Sequence, residues 1–153
     1  PQVMLEYLHA PEETAESHIT IDGEEWFITG DEAHMDADGY LFYEGRADDV
    51  INSAGYRIGP MEVENALMEH AAVRECAAVA SPHFVRGEVV KAFIILNDGF
   101  EGSDELVTEL QEFSKRITAP YKYPRKIEFV GELPKTISGK IQRRKLKDRE
   151  FGR

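Results

Sequence analysis

Apolar residues recur along this chain with two periods, and the period changes mark the elements. Val63, Ala66, Leu67 and His70 follow Pro60 at helical spacing. This predicts a helix with one buried stripe, opened by a proline at its first turn and with Glu62 and Glu64 near its positive end. A second helix is predicted from Ser103-Asp104-Glu105, where Leu106, Leu110, Phe113 and Ile117 repeat at i, i+4, i+7 and i+11. Val73–Ala80 and Val89–Leu96 are nearly unbroken apolar runs and read as strands, as does the shorter Lys126–Val130. Three glycines within Gly45–Gly59 predict a strand–turn–strand with close backbone approaches. Further upstream, Trp26-Phe27-Ile28-Thr29 and Tyr40-Leu41-Phe42-Tyr43 are rich in strand formers. Asp36-Ala37-Asp38-Gly39 between them predicts a hairpin with a long loop. A short helix is expected after Pro11, and Leu133–Lys140 reads as a flexible loop running into a basic helical tail. Strand, helix, strand, strand, helix, strand after Asp49 predicts a small α+β layer fold.

Length and composition refine this picture. The chain has 153 residues, 42% of them apolar, which is one domain or at most one and a half with a real core. A net charge of -11 argues, on average, against a sequence-independent nucleic-acid or anionic-membrane binder. The average conceals an acidic front and a basic back. Residues 1–50 hold 14 acidic side chains and one basic, Arg46, whereas Lys115 to Arg149 hold 12 basic and 3 acidic. Cys76 is the single cysteine, so no internal disulfide and no zinc–cysteine cluster can form; it lies in an apolar run and reads as core. The first residues lack the pattern of a signal peptide, and apolar runs of about five residues fall far short of a membrane span. A start without an initiator Met suggests a piece of a longer protein.

Several chemistries can be set aside. Ser138-Gly139-Lys140 lacks the earlier glycine of a phosphate loop, where Pro134 stands, and Ile141 replaces the metal-binding hydroxyl. The acidic Asp36–Gly39 string lacks the remaining ligands of a calcium loop. His9, His18, His34, His70 and His83 have neither the spacing nor the acidic neighbours of a metal site, so no metal ligands are expected. Three segments keep a chemical reading beside a plain one. Asp31, past the end of an apolar strand, caps a loop or accepts hydrogen bonds from adjacent hydroxyls such as those of a ribose. Arg46 and Arg57, in the glycine-spaced segment, are surface arginines or phosphate grips. Lys140 is a solvated lysine, or a mobile cation that stabilises a transferring phosphate.

In order and spacing, Trp26–Asp31, Gly45-Arg46-Ala47-Asp48-Asp49, Gly55-Tyr56-Arg57-Ile58 with Glu62-Val63-Glu64, and Pro134–Lys140 together resemble one family. This is the adenylate-forming superfamily of acyl-CoA synthetases, luciferases and peptide-synthetase adenylation domains, at its C-terminal end. Val85–Phe93 and Thr118–Arg125 are most similar to the medium-chain acyl-CoA synthetases. The resemblance covers essentially the whole chain. Asn52 departs from it, standing where many members carry Lys.

The resemblance implies a two-step ligase: ATP and magnesium convert a carboxylic acid to acyl-adenylate and diphosphate, and the coenzyme A thiol then displaces AMP. It implies that Asp31 and Arg46 hold the ribose, that Lys140 reaches the carboxylate and α-phosphate, and that Asp48 is the hinge of a rotating C-terminal domain. Ala54, Gly55 and Tyr56 would line the pantetheine channel, while Arg57, Arg86, Lys115 and Tyr123-Pro124-Arg125 would face the coenzyme A nucleotide. Residues 1–45 would be the tail of the large N-terminal domain, a β-hairpin remnant. Residues 46–153 would be the mobile lid, a small α/β domain with a short mixed sheet and about three helices. The nucleotide loop, acyl pocket and magnesium ligands would lie in the rest of the parent enzyme, so the fragment alone is expected to be inactive. The expected partners are ATP, coenzyme A, a medium-chain acid and that N-terminal domain, with no nucleic acid and no membrane. The location implied is cytoplasmic, or the mitochondrial matrix in a eukaryote. One alternative acceptor is a carrier protein's phosphopantetheine. A reading of another class is a stand-alone RNA-binding module using Lys140–Arg149, which lacks interleaved aromatics for base stacking.

Overall fold

The computed structural model describes residues 4–153, with the backbone alone for Glu44. The chain divides into two compact units, Pro1–Ala47 and Asp48–Arg153. In the first, helix α1 (Pro11–Glu16) precedes β1 (His18–Ile21), β2 (Glu24–Phe27), β3 (Asp31–Met35) and β4 (Leu41–Arg46).

These strands form two antiparallel hairpins, β1–β2 and β3–β4, rather than the single long-looped hairpin expected from Trp26–Thr29 and Tyr40–Tyr43. Phe27 pairs with His18 across a tight turn at Asp22-Gly23, where both residues have positive φ, +53° and +85°. Asp-Gly is the pair that such a turn selects, and it captures the Trp26–Phe27 segment locally. In the second hairpin, Oδ1 of Asp36 accepts the N–H groups of Asp38 and Tyr40, so this acidic turn is held by its own backbone.

The second unit runs β5 (Ile51–Ser53), β6 (Tyr56–Ile58), α2 (Pro60–Met68), β7 (Val73–His83), β8 (Gly87–Leu96), α3 (Asp104–Ile117), β9 (Lys126–Phe129) and α4 (Arg143–Phe151). Its five strands make one mixed sheet ordered β6-β5-β8-β7, with β9 parallel to β8. The α+β reading and the three helices of this unit follow. Both faces of β7 and β8 are covered, which explains their lack of alternation. Cys76, Ala78, Ala80, Val90, Ala92 and Ile94 pack with Val63, Leu67, Leu106 and Leu110. Ala77, Val79, Phe93 and Ile95 face the other way, toward Leu133 and Leu146. Leu67 and Leu110, both fully buried, each contribute on the order of 2 kcal/mol by apolar burial. Ser103 caps α3 by accepting the Leu106 N–H, and the predicted stripe holds through Leu110 but ends with Ile117 exposed. His70 lies just past α2, half-buried against the Phe113 ring and bonded to Glu109.

Candidate functional site

In the first unit, β3–β4 pairing sets Asp31 directly opposite Arg46. Nη1 of Arg46 donates to the Thr29 carbonyl at 3.0 Å and lies 3.8 Å from Oδ1 of Asp31. Both side chains remain about half exposed, at 42% for Asp31 and 50% for Arg46. A carboxylate and a guanidinium held side by side on paired strands, both about half exposed, suit a ligand bearing hydroxyls. Gly30 allows the approach: its φ is +74°, and a Cβ there would sit 3.0 Å from Nη2 of Arg46.

In the second unit, the β5–β6 turn carries Ala54 and Gly55, both at positive φ (+50° and +86°). The Ala54 N–H donates to the Arg86 carbonyl at 3.2 Å, and Ser53 pairs with Gly87, so this turn and the β7–β8 turn share one end of the sheet. Apart from its chain neighbours, no atom of the described residues lies within 4 Å of where a Gly55 Cβ would stand, leaving open space over the turn. Tyr56, half exposed, stacks on Tyr121 with centroids 4.3 Å apart. Two residues beyond, the Tyr123 ring has Lys115 Nζ at 4.3 Å and Arg125 at 4.9 Å, and Nη1 of Arg125 donates to the Tyr123 hydroxyl. Gln111 Nε2 fixes this segment by donating to the Pro124 and Arg125 carbonyls. Arg57 lies opposite Asn52 on the β5–β6 ladder and is exposed. Thus the Tyr56–Tyr121 stack joins the small-residue turn and Arg86 to a cluster of cations on an aromatic ring, chemistry suited to an elongated ligand ending in phosphates.

Lys140 is elsewhere. It lies in a hydrogen-bonded hairpin and not, as expected, in a flexible loop. Lys135 bridges to Ile141, the Thr136 N–H donates to the Lys140 carbonyl at 2.8 Å, and the Lys140 N–H donates to Oγ1 of Thr136. Gly139, at φ +85°, makes the turn, and the lysine side chain is exposed. An ion pair from Lys135 to Glu75 at 2.7 Å ties this hairpin to the start of β7, whereas the Gly55 turn meets its far end beside His83–Gly87. The eight steps along the strand from Glu75 to His83 span about 26 Å. The Lys140 hairpin and the Gly55 turn therefore lie at opposite ends of β7.

Other polar groups have partners remote in sequence, which no local pattern reveals. Glu64, buried on α2, accepts the Ala78 N–H at the open edge of β7 and a two-pronged grip from Arg143. Burial, and next the Glu64 charge, push the Cys76 thiol well above its ordinary range. Lys91 is held between Glu128 (2.8 Å) and Glu150 (2.6 Å), and Glu150 also accepts from Ser81. Burial lowers the Lys91 ammonium, but its bonds to Glu128 and Glu150 outweigh burial and hold it above its usual value. The same opposition leaves both carboxyls below theirs. Asp48 contributes its backbone carbonyl to Nζ of Lys147 at 3.0 Å. Among the described residues, no group of three or more His, Cys, Asp or Glu is placed to hold a metal ion. None of their helices is long and apolar enough to cross a membrane.

Residues 62–140 match the family described as AMP-binding enzyme C-terminal domain. The chain is 59% identical over 149 residues to the human mitochondrial acyl-coenzyme A synthetase ACSM5, covering 96% of this chain and 25% of that protein. Mouse mitochondrial acyl-coenzyme A synthetase ACSM1 is 55% identical over 152 residues, covering 98% and 26%. Among solved structures, a Brucella canis acyl-CoA synthetase is 50% identical with a TM-score of 0.68, covering 87% of this chain and 24% of that one. The anthranilate CoA ligase AuaEII, in complex with anthranoyl-AMP, is 42% identical with a TM-score of 0.81, covering 95% and 28%. The chain thus spans about a quarter of the length of the relatives it matches. It belongs to the AMP-binding enzyme C-terminal domain family.

Proposed function

We propose that this chain is the C-terminal portion of an AMP-forming acyl-CoA synthetase, which joins a medium-chain fatty acid to coenzyme A with release of AMP and diphosphate. In this reading residues 1–45 end the large domain and 46–153 form the mobile lid. Asp31 and Arg46 hold the ribose of ATP. Lys140 brings its charge to the carboxylate and α-phosphate as the acyl–phosphate bond forms. Asp48 is the hinge. Ala54, Gly55 and Tyr56 border the pantetheine path, with Arg57, Arg86, Lys115, Tyr123 and Arg125 toward the nucleotide. Magnesium, supplied with ATP, would offset phosphate charge, its ligands lying outside these residues. The parent enzyme would be mitochondrial, as the names of the relatives suggest.

The observation that carries this reading is the separation of the Lys140 hairpin from the Gly55 turn along β7. One ligand-bearing cleft could use both only by turning the lid, and each face suits one half-reaction. The test uses the full-length enzyme that contains this chain. Lys140→Ala is expected to slow acyl-adenylate formation by about 100- to 1,000-fold, while preformed adenylate still reacts with coenzyme A. Gly55→Leu is expected to do the reverse. Equal loss of both steps in both variants overturns the assignment. Diphosphate release by the 153-residue chain alone, given ATP, magnesium and a fatty acid, overturns its expected inactivity.

A further inference from the structure

Helix α4 places Arg143 and Lys147 four residues apart, on one face. Nζ of Lys147 donates to the Asp48 carbonyl at 3.0 Å, and Nη1 of Arg143 lies 3.8 Å from Oδ2 of Asp49. The helix is itself anchored at both ends. Arg143 grips buried Glu64, Leu146 is buried, and Glu150 is held by Lys91 and Ser81. A carbonyl fixed by a cation on this anchored helix fixes the plane of its peptide relative to the helix, and with it φ of Asp49, whereas ψ of Asp48 lies upstream of that plane.

We propose that Lys147, acting with Arg143, is a positioning residue for the hinge: it locks the Asp48–Asp49 peptide into the lid, so that the pivot is confined to ψ and φ of Asp48 and the bonds before them. The proposal rests on the reading of Asp48 as the hinge. Without Lys147 the 48–49 peptide becomes a second swivel. The lid then spreads over more orientations, and each productive one is less populated.

The experiment compares Lys147→Met and Lys147→Arg in the full-length enzyme. In Lys147→Met, hydrogen exchange at the amides of residues 49–51 is expected to quicken about tenfold, the weight of one charge-assisted hydrogen bond. Acyl-CoA turnover is expected to fall severalfold with KM for ATP and fatty acid unchanged, and Lys147→Arg, which keeps a donor, restores both. Exchange in Lys147→Met within roughly twofold of the parent, less than one such bond implies, overturns the proposal. So does slow turnover that Lys147→Arg leaves uncorrected. Asp48→Pro locks φ of the hinge residue and separates the two claims. If it leaves both half-reactions at the parental rate, the hinge reading itself fails. If it arrests turnover while Lys147→Met behaves as the parent, only the role of Lys147 fails.

Discussion

Arg143 grips Glu64 through two parallel bonds, Nε to Oε1 at 2.9 Å and Nη2 to Oε2 at 2.6 Å, across 79 positions of sequence. Glu64 is 6% exposed and also serves the Ala78 N–H, so this pair closes the edge of β7 between α2 and α4. Removing Arg143 leaves the buried Glu64 carboxylate without its cation. Arg143→Met is therefore expected to cost about 3 kcal/mol of unfolding free energy, measured by urea denaturation of the chain. Glu64→Gln with Arg143→Met should cost less than the two single changes together, since no buried charge is stranded.

Lys91, Glu128 and Glu150 bind β8, β9 and α4 together, and their shifted protonation predicts a pH profile. The folded carboxyls lie below their ordinary values. Their contribution is thus present above the unfolded carboxylate range, about pH 4.3, and is lost as pH falls through the folded values. Lys91 lies above its ordinary value, so its contribution is full below about pH 10.4 and fades as pH rises through the folded value. Lys91→Met should lower the urea midpoint at neutral pH, and the gap from the parent should narrow below about pH 4. A constant gap from pH 3 to 8 would refute the assignment of that stability to ion pairing.

The elements of the second unit were legible because their signals are local. Pro60 opens α2, Ser103 caps α3, and doubly covered β7 and β8 read as continuous apolar runs. The first unit was read less well, although its signal was present. Asp22-Gly23 marks the β1–β2 turn, and Ile19 and Ile21 alternate with His18 and Thr20, but the strand is only four residues long and nearly all of it is exposed, so its signal is slight. Asp31, Arg46, Gly55 and Lys140 stood out in the sequence by their neighbours, and the fold brings Asp31 to Arg46 and Ala54 to Arg86. Glu64 stood out only for its place near the start of α2, and Lys91 and Arg143 did not stand out. A charged residue in a helix or strand reads as solvated until a partner 79 positions away is placed beside it. The order in the Lys140 hairpin was hidden for a similar reason, since it depends on the Thr136 side chain and the Lys135–Ile141 bridge.

Cys76 is buried, and its thiol is held protonated far beyond neutral pH by burial and then by Glu64. Since the thiolate is the reactive form, the native chain should not react with iodoacetamide at pH 8. Modification should proceed at the rate of unfolding and become rapid in urea. Fast labelling of the folded chain, followed by mass spectrometry, would contradict this burial.

Gly30 is a second point of conformational dependence. A Cβ there would press on Arg46, and the positive φ disfavours any other residue. Gly30→Ala is expected to cost about 1 kcal/mol of stability. In the full-length enzyme it should displace Arg46 and raise KM for ATP severalfold, leaving the reaction of preformed adenylate with coenzyme A unchanged.

The cations around Tyr123 offer a test between free coenzyme A and a carrier-borne phosphopantetheine as the proposed acceptor. Lys115 and Arg125 both lie within 5 Å of that ring, and Lys115 also pairs with Glu112. A carrier protein presents one phosphate, tied to a serine, whereas free coenzyme A adds a phosphorylated nucleotide that can engage Lys115, Arg125 and Arg86. If the acceptor is free coenzyme A, Lys115→Glu in the full-length enzyme turns an attraction into a repulsion. The KM for coenzyme A should then rise by about tenfold and become less sensitive to salt. Adenylate formation should be unaffected, and so should thiolation of pantetheine, which lacks the nucleotide. An unchanged KM for coenzyme A, or an equal loss with pantetheine, favours the carrier-protein acceptor.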